Sequence, residues 1–537
     1  MIEAFSAADV RAAERPLLAA ERGFAGGLMH RAAWALAAAV RRELRADGVR
    51  VPGAAVAGLV GGGNNGGDTL HALALLARHG VSAIAVAPGP VHDGGLAALR
   101  SAGGRVLAVG PDAPGEPVWL GDAIAEAFAA DVVLDGLLGI GARGGLRGPA
   151  ARLVELLGGL LSVPGPGPRV VAVDVPSGIG VDDGAVPGPV LAADRTVTFG
   201  AAKPGLLLPP AAALAGVVDV VDLGLALGGG VPGAPRAAVV RLAAPDVAAL
   251  WPVPGALDHK YTRGVLGVVA GSPDYPGAAV LTVAGALGVG CPMVRYLGPA
   301  AVRHAVVAAH PEVVTAEGRV QAWVLGPGVA GGEQRERVAA VLRAAGRDAT
   351  PVVVDAGALG LLPARVGGHV VLTPHAGELA TLLTARGIAV GRAQVEAEPL
   401  RWAREAVSRT GATVLLKGAT TLVVGTAGRA EVVASQADGT PWLATAGAGD
   451  VLAGVLGALL AGLAVPDGPL TAGPDGPLTA GPDGPLTAGP RVLVEVVAAA
   501  VAVHGWAACA ASGGGPLTAS AVAAALPGVV RGLVAGP

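Results

Sequence analysis

The sequence is poor in several residue types, and each shortage excludes something. It has two cysteines in 537 residues, Cys291 and Cys509, too few for a disulfide framework, so a reducing compartment fits best. Only 15% of residues are charged and the net charge is −3, which leaves no basic field to grip nucleic acid. Of the 38 Lys and Arg residues only three are lysines, at Lys203, Lys260 and Lys417, so ordinary surface charge is carried by arginine. Asparagine occurs only at Asn64 and Asn65. Where a residue type is nearly absent, its few positions are stronger candidates for specific chemistry.

What is present is apolar. Residues are 52% hydrophobic, with 87 Gly and 43 Pro, which excludes a disordered chain, since that needs low hydrophobicity and high charge. Mean hydropathy is +0.60. The charge-free run from Tyr275 to Val294 is broken by Pro276, Pro292 and four glycines, so a membrane span is not expected there. The start, MIEAFSAADVRAAERPLLAAERG, has charges throughout and no apolar core of signal-peptide type. The expectation is a cytoplasmic protein with no membrane partner.

At this length two or three domains are expected. Residues 1–45 read as two helices. Then strand and helix alternate: AAVAGLV, the loop GGGNNGGD, the helix TLHALALLARHG, and the strands VSAIAVA, RVLAVG, DVVLDG and RVVAVDVP. This is the pattern of a parallel sheet covered by helices, with ligands at the carboxyl ends of the strands. GGGVPGAPR at 228–236 has linker composition. After it the pattern restarts with GVLGVVAGS, AWVLGPG, PVVVDAG, HVVLTPH, TVLLKGA and TLVVG. The boundaries read as a first domain at 1–228, a linker at 229–243 and a second domain at 244–537. PDGPLTAG occurs three times in tandem over 466–489. Eight residues rich in Pro and Gly make no packed repeat unit, so this reads as an expanded, disordered surface loop without catalytic role.

In the first domain, Gly61, Gly63 and Gly66 satisfy G-x-G-x-x-G, which points to phosphate at a helix N-terminus. No acid ends the second strand, so a hydride-transferring dehydrogenase fits poorly. Asn65, Asp135 and Ser177 lie at loops after strands and would converge as oxygens around a hard cation. Alternatively, Asn65 shapes a turn while Asp135 and Ser177 cap helices.

NNGGD, DGLLGIGARGG, VDVPSG and TFGAAKPG together resemble the N-terminal domain of NAD(P)H-hydrate repair enzymes, the NAD(P)HX epimerase, over about residues 1–225. The resemblance implies a Rossmann-like three-layer domain. It implies that Asn64, Asn65, Gly66, Gly67 and Asp68 contact the damaged nucleotide, as do Gly139, Ile140, Gly141, Ala142, Arg143, Gly144, Gly145 and Asp174. Asn65, Asp135 and Ser177 would hold potassium. Thr69 departs from the family, which usually has Gly there. Epimerisation at C6 of the hydrated ring needs proton transfer; Asp174 is the candidate acid/base, and Lys203 is either a second one or a structural ion-pair partner.

In the second domain, TAGAGD precedes the long apolar helix VLAGVLGALLAGL. Thr445, Gly447 and Gly449 leave backbone N–H groups free for phosphate, and Asp450 beside them is either an N-terminal cap or a base for an attacking hydroxyl. Lys417 ends a strand, and LTPHAGEL puts His375 and Glu378 on another strand-end loop. The set resembles the ribokinase-like superfamily. With HKYTRGVLGVVAGSPDYPGAAVLT and QAWVLGPG it resembles the ADP-dependent (S)-NAD(P)H-hydrate dehydratases over about 245–537. That implies Asp450 as base, and ADP binding by Lys417, Gly418, Ala419, Thr420, Thr421 and Gly449. Ala278, Gly328, His375 and Asp450 would contact the hydrate. Departures are Cys291–Pro292, where small residues are usual, and Gly357 in DAGAL, where Asp is common. Cys291 reads as a small buried residue, and His304 and His310 as surface or packing residues.

The expectation is therefore a two-domain α/β enzyme. It would equilibrate the epimers of NADHX and NADPHX and dehydrate the S form to NAD(P)H, consuming ADP, with magnesium and potassium as ions. A homo-oligomer is expected. The rivals are a ribokinase-like small-molecule kinase with a nucleotide-sensing domain and a non-catalytic NAD-binding regulator.

Overall fold

The computed structural model describes residues 1–228, 233–427, 430–464, 471–472, 478–479 and 491–535. The chain divides into two compact units, Glu3–Val239 and Val240–Pro537, the second also taking in Met1–Ile2.

In the first unit the sheet runs, from edge to edge, Glu116–Pro117, Arg105–Ala108, Ser82–Ala87, Ala55–Val60, Val132–Gly136, Arg169–Val173, Arg195–Phe199 and Val217–Val221. Every neighbouring pair is parallel. These strands are nearly continuous apolar runs because both faces are covered. Val56 and Val60 join the core under the helices Leu28–Ala46 and Asn64–Ala77. Ala57 and Leu59, pointing the other way, pack under Leu120–Phe128 and Gly148–Leu161. This is a three-layer α/β/α unit. From Ala55–Val60 the chain first builds outward to one side, then returns to build the other from Val132–Gly136. The loops leaving these two strands therefore diverge, opening a crevice where such sheets bind ligands.

Val239–Arg241 falls within the segment expected as linker but is a strand, pairing in parallel with Ala430–Gln436 at Val240 and Ala434. From it the second sheet runs through Ala430–Gln436, Thr421–Ala427, Thr413–Leu416, Val370–Leu372, Val352–Val354, Ala322–Leu325, Leu266–Val269 and Val294–Tyr296. Pairing is parallel from Val294–Tyr296 to Thr413–Leu416, then antiparallel through the hairpin of 413–427 and its neighbour. The parallel strands end on one side, and the loops there carry Ser272, Gly328, Asp355, His375 and Lys417.

The charge-free run of 275–294 becomes the helix Pro276–Gly288, followed by a turn before Pro292. It packs on the helix Ala448–Leu463 so closely that a Cβ on Gly454 would stand 1.9 Å from Thr282 O. By composition the more membrane-like segment is Leu493–Ser512, 78% of whose most apolar stretch is buried inside the fold. It behaves as a core helix. Of the PDGPLTAG repeats, only 471–472 and 478–479 are described, as a short antiparallel pair; the rest of that expected loop lies outside the described residues.

Candidate functional site

The first unit holds a cavity of about 1200 Å³ over the crevice, above the roughly 300–1,000 Å³ of most small-molecule pockets. Its wall includes Asn64, Asn65 and Asp68 from the first helical turn after Gly61–Gly63, and Leu137 to Ala142 from the loop after Val132–Gly136. Asp174 joins them from the end of Arg169–Val173. Gly66 and Gly67, Arg143, Gly144 and Gly145 are not on that wall. Gly66 is required by backbone: a Cβ there would lie 1.9 Å from Gly61 O. Thr69 is fully buried, donates to Asn65 O at 2.8 Å and packs against Gly136. It faces the sheet, so its departure from the family pattern does not reshape the cavity.

Asn65, Asp135 and Ser177 do come together. Asp135 lies inside the strand, paired with Leu59 and Ala172, so it is not a helix cap. Its Oδ2 accepts from Ser177 N at 2.8 Å. Ser177 Oγ accepts from Leu138 N at 2.9 Å, and Asn65 Nδ2 donates to Leu138 O at 2.9 Å. The other oxygens, Asn65 Oδ1 and Asp135 Oδ1, are buried without a hydrogen-bond partner among the described residues. Burial raises the Asp135 carboxyl above its ordinary value, against the bonds from Ser177 and Leu137. Orphaned buried acceptors are costly, and two oxygens of this kind suit a cation that accepts oxygen ligands. Among the described residues no cluster of three or more His, Cys, Asp or Glu side chains is arranged for a metal.

Asp174 has φ +65°, rare for a residue with a side chain and typical of functional positions. Its Oδ1 accepts from Lys203 Nζ at 2.5 Å, Thr198 Oγ1 at 3.1 Å and Phe199 N at 3.2 Å. These bonds all fall on Oδ1, so Oδ2 is the oxygen available to a ligand. Lys203 is 1% exposed and is the ion-pair partner. Asp68 is also buried, and its carboxyl is raised well above the ordinary range, by burial first and then by Asp174 and Glu14.

In the second unit, Lys417 follows Thr413–Leu416 and bridges to His375 on the neighbouring strand end. Its Nζ lies 2.8 Å from Asp355 Oδ1 and 3.7 Å from Glu378 Oε2. Burial lowers the Lys417 pKa, but Asp355 and Glu378 outweigh it and the net shift is upward. Gly418, Ala419 and Thr420 form the hairpin turn, closed by Thr421 Oγ1 donating to Gly418 O. Gly449 adjoins the lysine, whose Nζ lies 3.4 Å from where a Cβ on Gly449 would be.

Asp450 sits in the first turn of Ala448–Leu463, behind Gly447 at φ +87°. Among the described residues its carboxylate makes no hydrogen bond, so it does not act as the cap. Burial, then Asp355, push its pKa up to about 7, with Lys417 opposing and Glu378 adding. That places it in the range of a working general base. His375 has a structural duty: its Nδ1 accepts from Gly377 N at 3.0 Å and Glu378 N at 3.2 Å, while His375 N donates to Glu378 Oε2. Its ring therefore caps the helix Ala376–Thr384. Ala278 and Gly328 are neighbours, since a Cβ on Gly328 would lie 2.7 Å from Ala278 Cβ.

Sequence reasoning missed Asp355, which is 2% exposed and also accepts from Thr373 Oγ1 at 2.8 Å. The signal was there: VVVD is an apolar run closed by an aspartate, as VVLD and VAVD are. At Gly357 a Cβ would lie 2.0 Å from Val329 O, so this chain has no room for a side chain there. Cys291 is buried with its thiol pushed up to about 11 by burial, the state of an inert packing residue.

The family model described as NAD(P)H-hydrate dehydratase matches residues 266–512, and the model for the YjeF-related protein N-terminus matches 25–205. The bifunctional NAD(P)H-hydrate repair enzyme Nnr of Mycobacterium tuberculosis is 44% identical over 482 residues, covering 87% of this chain and 91% of its own. The NAD(P)H-hydrate epimerase of Clavibacter sepedonicus is 47% identical over 233 residues, covering 43% of this chain and 94% of its own. A solved ADP/ATP-dependent NAD(P)H-hydrate dehydratase from Bacillus subtilis is 26% identical, covering 53% of this chain and 96% of its own, with TM-score 0.42. With relatives matched along both halves, the chain belongs to the family of bifunctional NAD(P)H-hydrate repair enzymes, an epimerase and a dehydratase in one polypeptide.

Proposed function

We propose that this chain interconverts the R and S epimers of NADHX and NADPHX in its first unit and, in its second, dehydrates the S form to NAD(P)H at the expense of ADP. The observation that carries the second activity is Asp450, a half-buried carboxylate without a hydrogen bond among the described residues, set to about 7 in a helix's first turn. It takes the proton of the C6 hydroxyl as that oxygen attacks the nucleotide's terminal phosphorus. The C6–O bond of the resulting ester then breaks, inorganic phosphate departing as the ring nitrogen's lone pair stabilises C6, and loss of a proton from C5 to solvent restores the ring's double bond. Thr445 N already donates to Leu443 O at 2.8 Å, so Lys417 and the N–H groups of Gly447 and Gly449 hold the transferring phosphates, with the 418–421 turn around the nucleotide. Ala278, Gly328 and the exposed edge of His375 form the hydrate's side.

In the first unit Asn64, Asn65, Asp68 and the 139–142 loop line the nucleotide cavity, with Asp174 Oδ2 as an acid/base. Asn65, Asp135 and Ser177 would hold potassium, which fits the two orphaned oxygens and would order the loops beside the cavity. Magnesium would come with the nucleotide phosphates, with Glu378 placed to share it, and would neutralise charge during transfer. Self-association in the cytoplasm completes this reading.

The deciding assay gives the purified protein mixed-epimer NADHX with magnesium, potassium and either ADP, ATP or no nucleotide, and follows absorbance of the reduced nicotinamide. Nucleotide-dependent recovery of NADH from both epimers, faster than their unaided interconversion, is expected. Recovery stopping at the S fraction would remove the epimerase activity. A stable phosphorylated product would favour a kinase instead.

A further inference from the structure

The helix Ala7–Ala20 precedes the stretch matched by the epimerase-side family model, residues 25–205, yet it forms part of the cavity wall. It is pinned there at two points. Ala7 N donates to Asp182 Oδ1 at 2.8 Å, and Arg11 donates to Ile140 O at 3.0 Å, on the loop that carries Gly139 to Ala142. Arg11, Glu14, Arg15 and Leu18, spaced along one helical face, line the cavity.

Epimerisation through loss and return of the hydroxyl needs two proton transfers. The C6–O bond breaks as the departing oxygen takes a proton and leaves as water, while the ring nitrogen's lone pair stabilises a planar C6. Water then adds to the other face and gives up a proton. Atoms and electrons balance without any co-reactant, but one carboxyl held on one side serves both faces poorly. Asp174 is fixed through Oδ1 to Lys203, Thr198 and Phe199. Glu21, also on the wall, is committed to Leu28 N at 2.6 Å. Glu14 is partly buried and makes no hydrogen bond or ion pair among the described residues.

We propose that Glu14 is a second proton-transferring carboxyl of the epimerase cavity, delivered by the N-terminal helix to work with Asp174 on the C6 hydroxyl. This rests on the epimerase reading above. The charged groups around Glu14 are Lys203 and Arg11, which favour its anion, and Asp174 and Asp68, which oppose it; Arg15 lines the same wall. Burial is the largest influence, and the net effect holds the Glu14 proton more tightly than in an ordinary glutamate. A carboxyl that holds its proton more tightly can serve as donor over a wider pH range than an ordinary glutamate.

The test uses the full-length protein without nucleotide, so that the dehydratase half is silent. Purified (R)-NADHX is supplied and its conversion to the S form is followed chromatographically across pH. Glu14→Gln is expected to lower kcat by about 100-fold or more, leave KM within about threefold, and remove one limb of the pH profile. Glu14→Asp is expected to restore part of the rate and the lost limb. An unchanged kcat and profile in Glu14→Gln, or a change in KM alone, overturns the proposal and makes Glu14 a wall residue. If the wild type itself fails to interconvert the epimers, the epimerase reading falls and the role of Glu14 with it.

Discussion

Lys417 Nζ is held 2.8 Å from Asp355 Oδ1 across the ends of two strands, 413–416 and 352–354, with the 370–372 strand between them supplying Thr373 to the same oxygen. Lys417, proposed above to hold phosphate, is thereby fixed in place by the fold itself. It also sits beside Asp450, whose high pKa Asp355 helps to set. Under the proposed function the pair would link binding of the nucleotide to readiness of the base.

Asp355→Asn keeps the contact with Thr373 but leaves Lys417 with Glu378 at 3.7 Å as its carboxylate partner. Removing one member of a buried pair costs about 3–5 kcal/mol, and with Lys417 21% exposed the lower end, roughly 3 kcal/mol, is expected. Urea denaturation would read the loss, and the KM for ADP should rise as well. An unchanged midpoint would show that the pair does not stabilise the fold.

Dehydratase kcat/KM should rise with pH through a midpoint near 7, where the free Asp450 carboxyl loses its proton. Asp450→Asn should remove that transition and lower kcat by about 10²–10⁴-fold. A pH-independent rate over the range 5–9 would count against Asp450 as the base.

Potassium should raise the thermal midpoint of the first unit, because it would satisfy Asn65 Oδ1 and Asp135 Oδ1 in the folded state only. At 100 times its dissociation constant the gain would be about 2.7 kcal/mol. The comparison is calorimetry in potassium against N-methylglucamine at equal ionic strength. Asn65→Ala should abolish the difference; equal midpoints in the wild type would refute the site.

Asp68 holds its proton more tightly folded than unfolded. Between the unfolded and folded pKa values the native state therefore binds more protons, so stability falls as pH rises through that window. Asp68→Asn removes this term and should melt higher than wild type at pH 8, with a smaller difference at pH 4. Differential scanning fluorimetry across pH would show it, and epimerase activity should fall in the same variant.

Removing residues 466–489 should leave both activities intact, since the tandem PDGPLTAG repeats carry no candidate site residue. A large loss of dehydratase activity would assign the repeats a part in catalysis.

Much of this was legible in the chain. Parallel strands follow from VAGLV, VVLD and VVAVD, because strands buried on both faces read as unbroken apolar runs. NNGGD and TAGAGD mark helix N-termini because their small residues leave N–H groups free. Lys203 could be read two ways from its neighbours in sequence; its burial at 1% exposure beside Asp174 decides for the ion pair. Asp135 read as a loop residue or cap and is in fact within a strand, its register set by Leu59 and Ala172 on either side.

By itself the sequence determined the order of elements, the two-unit organisation and the residue types at each strand end, since these depend on local periodicity and on what Gly, Asn and Asp do to the backbone. Only the tertiary structure decided that Glu14 shares a site with Asp68 and Asp174 and that Asp355 pairs with Lys417. The reason is physical. A carboxyl's proton affinity and an acceptor's lack of partners are properties of surroundings assembled from segments far apart in the chain, and packing alone brings those segments together.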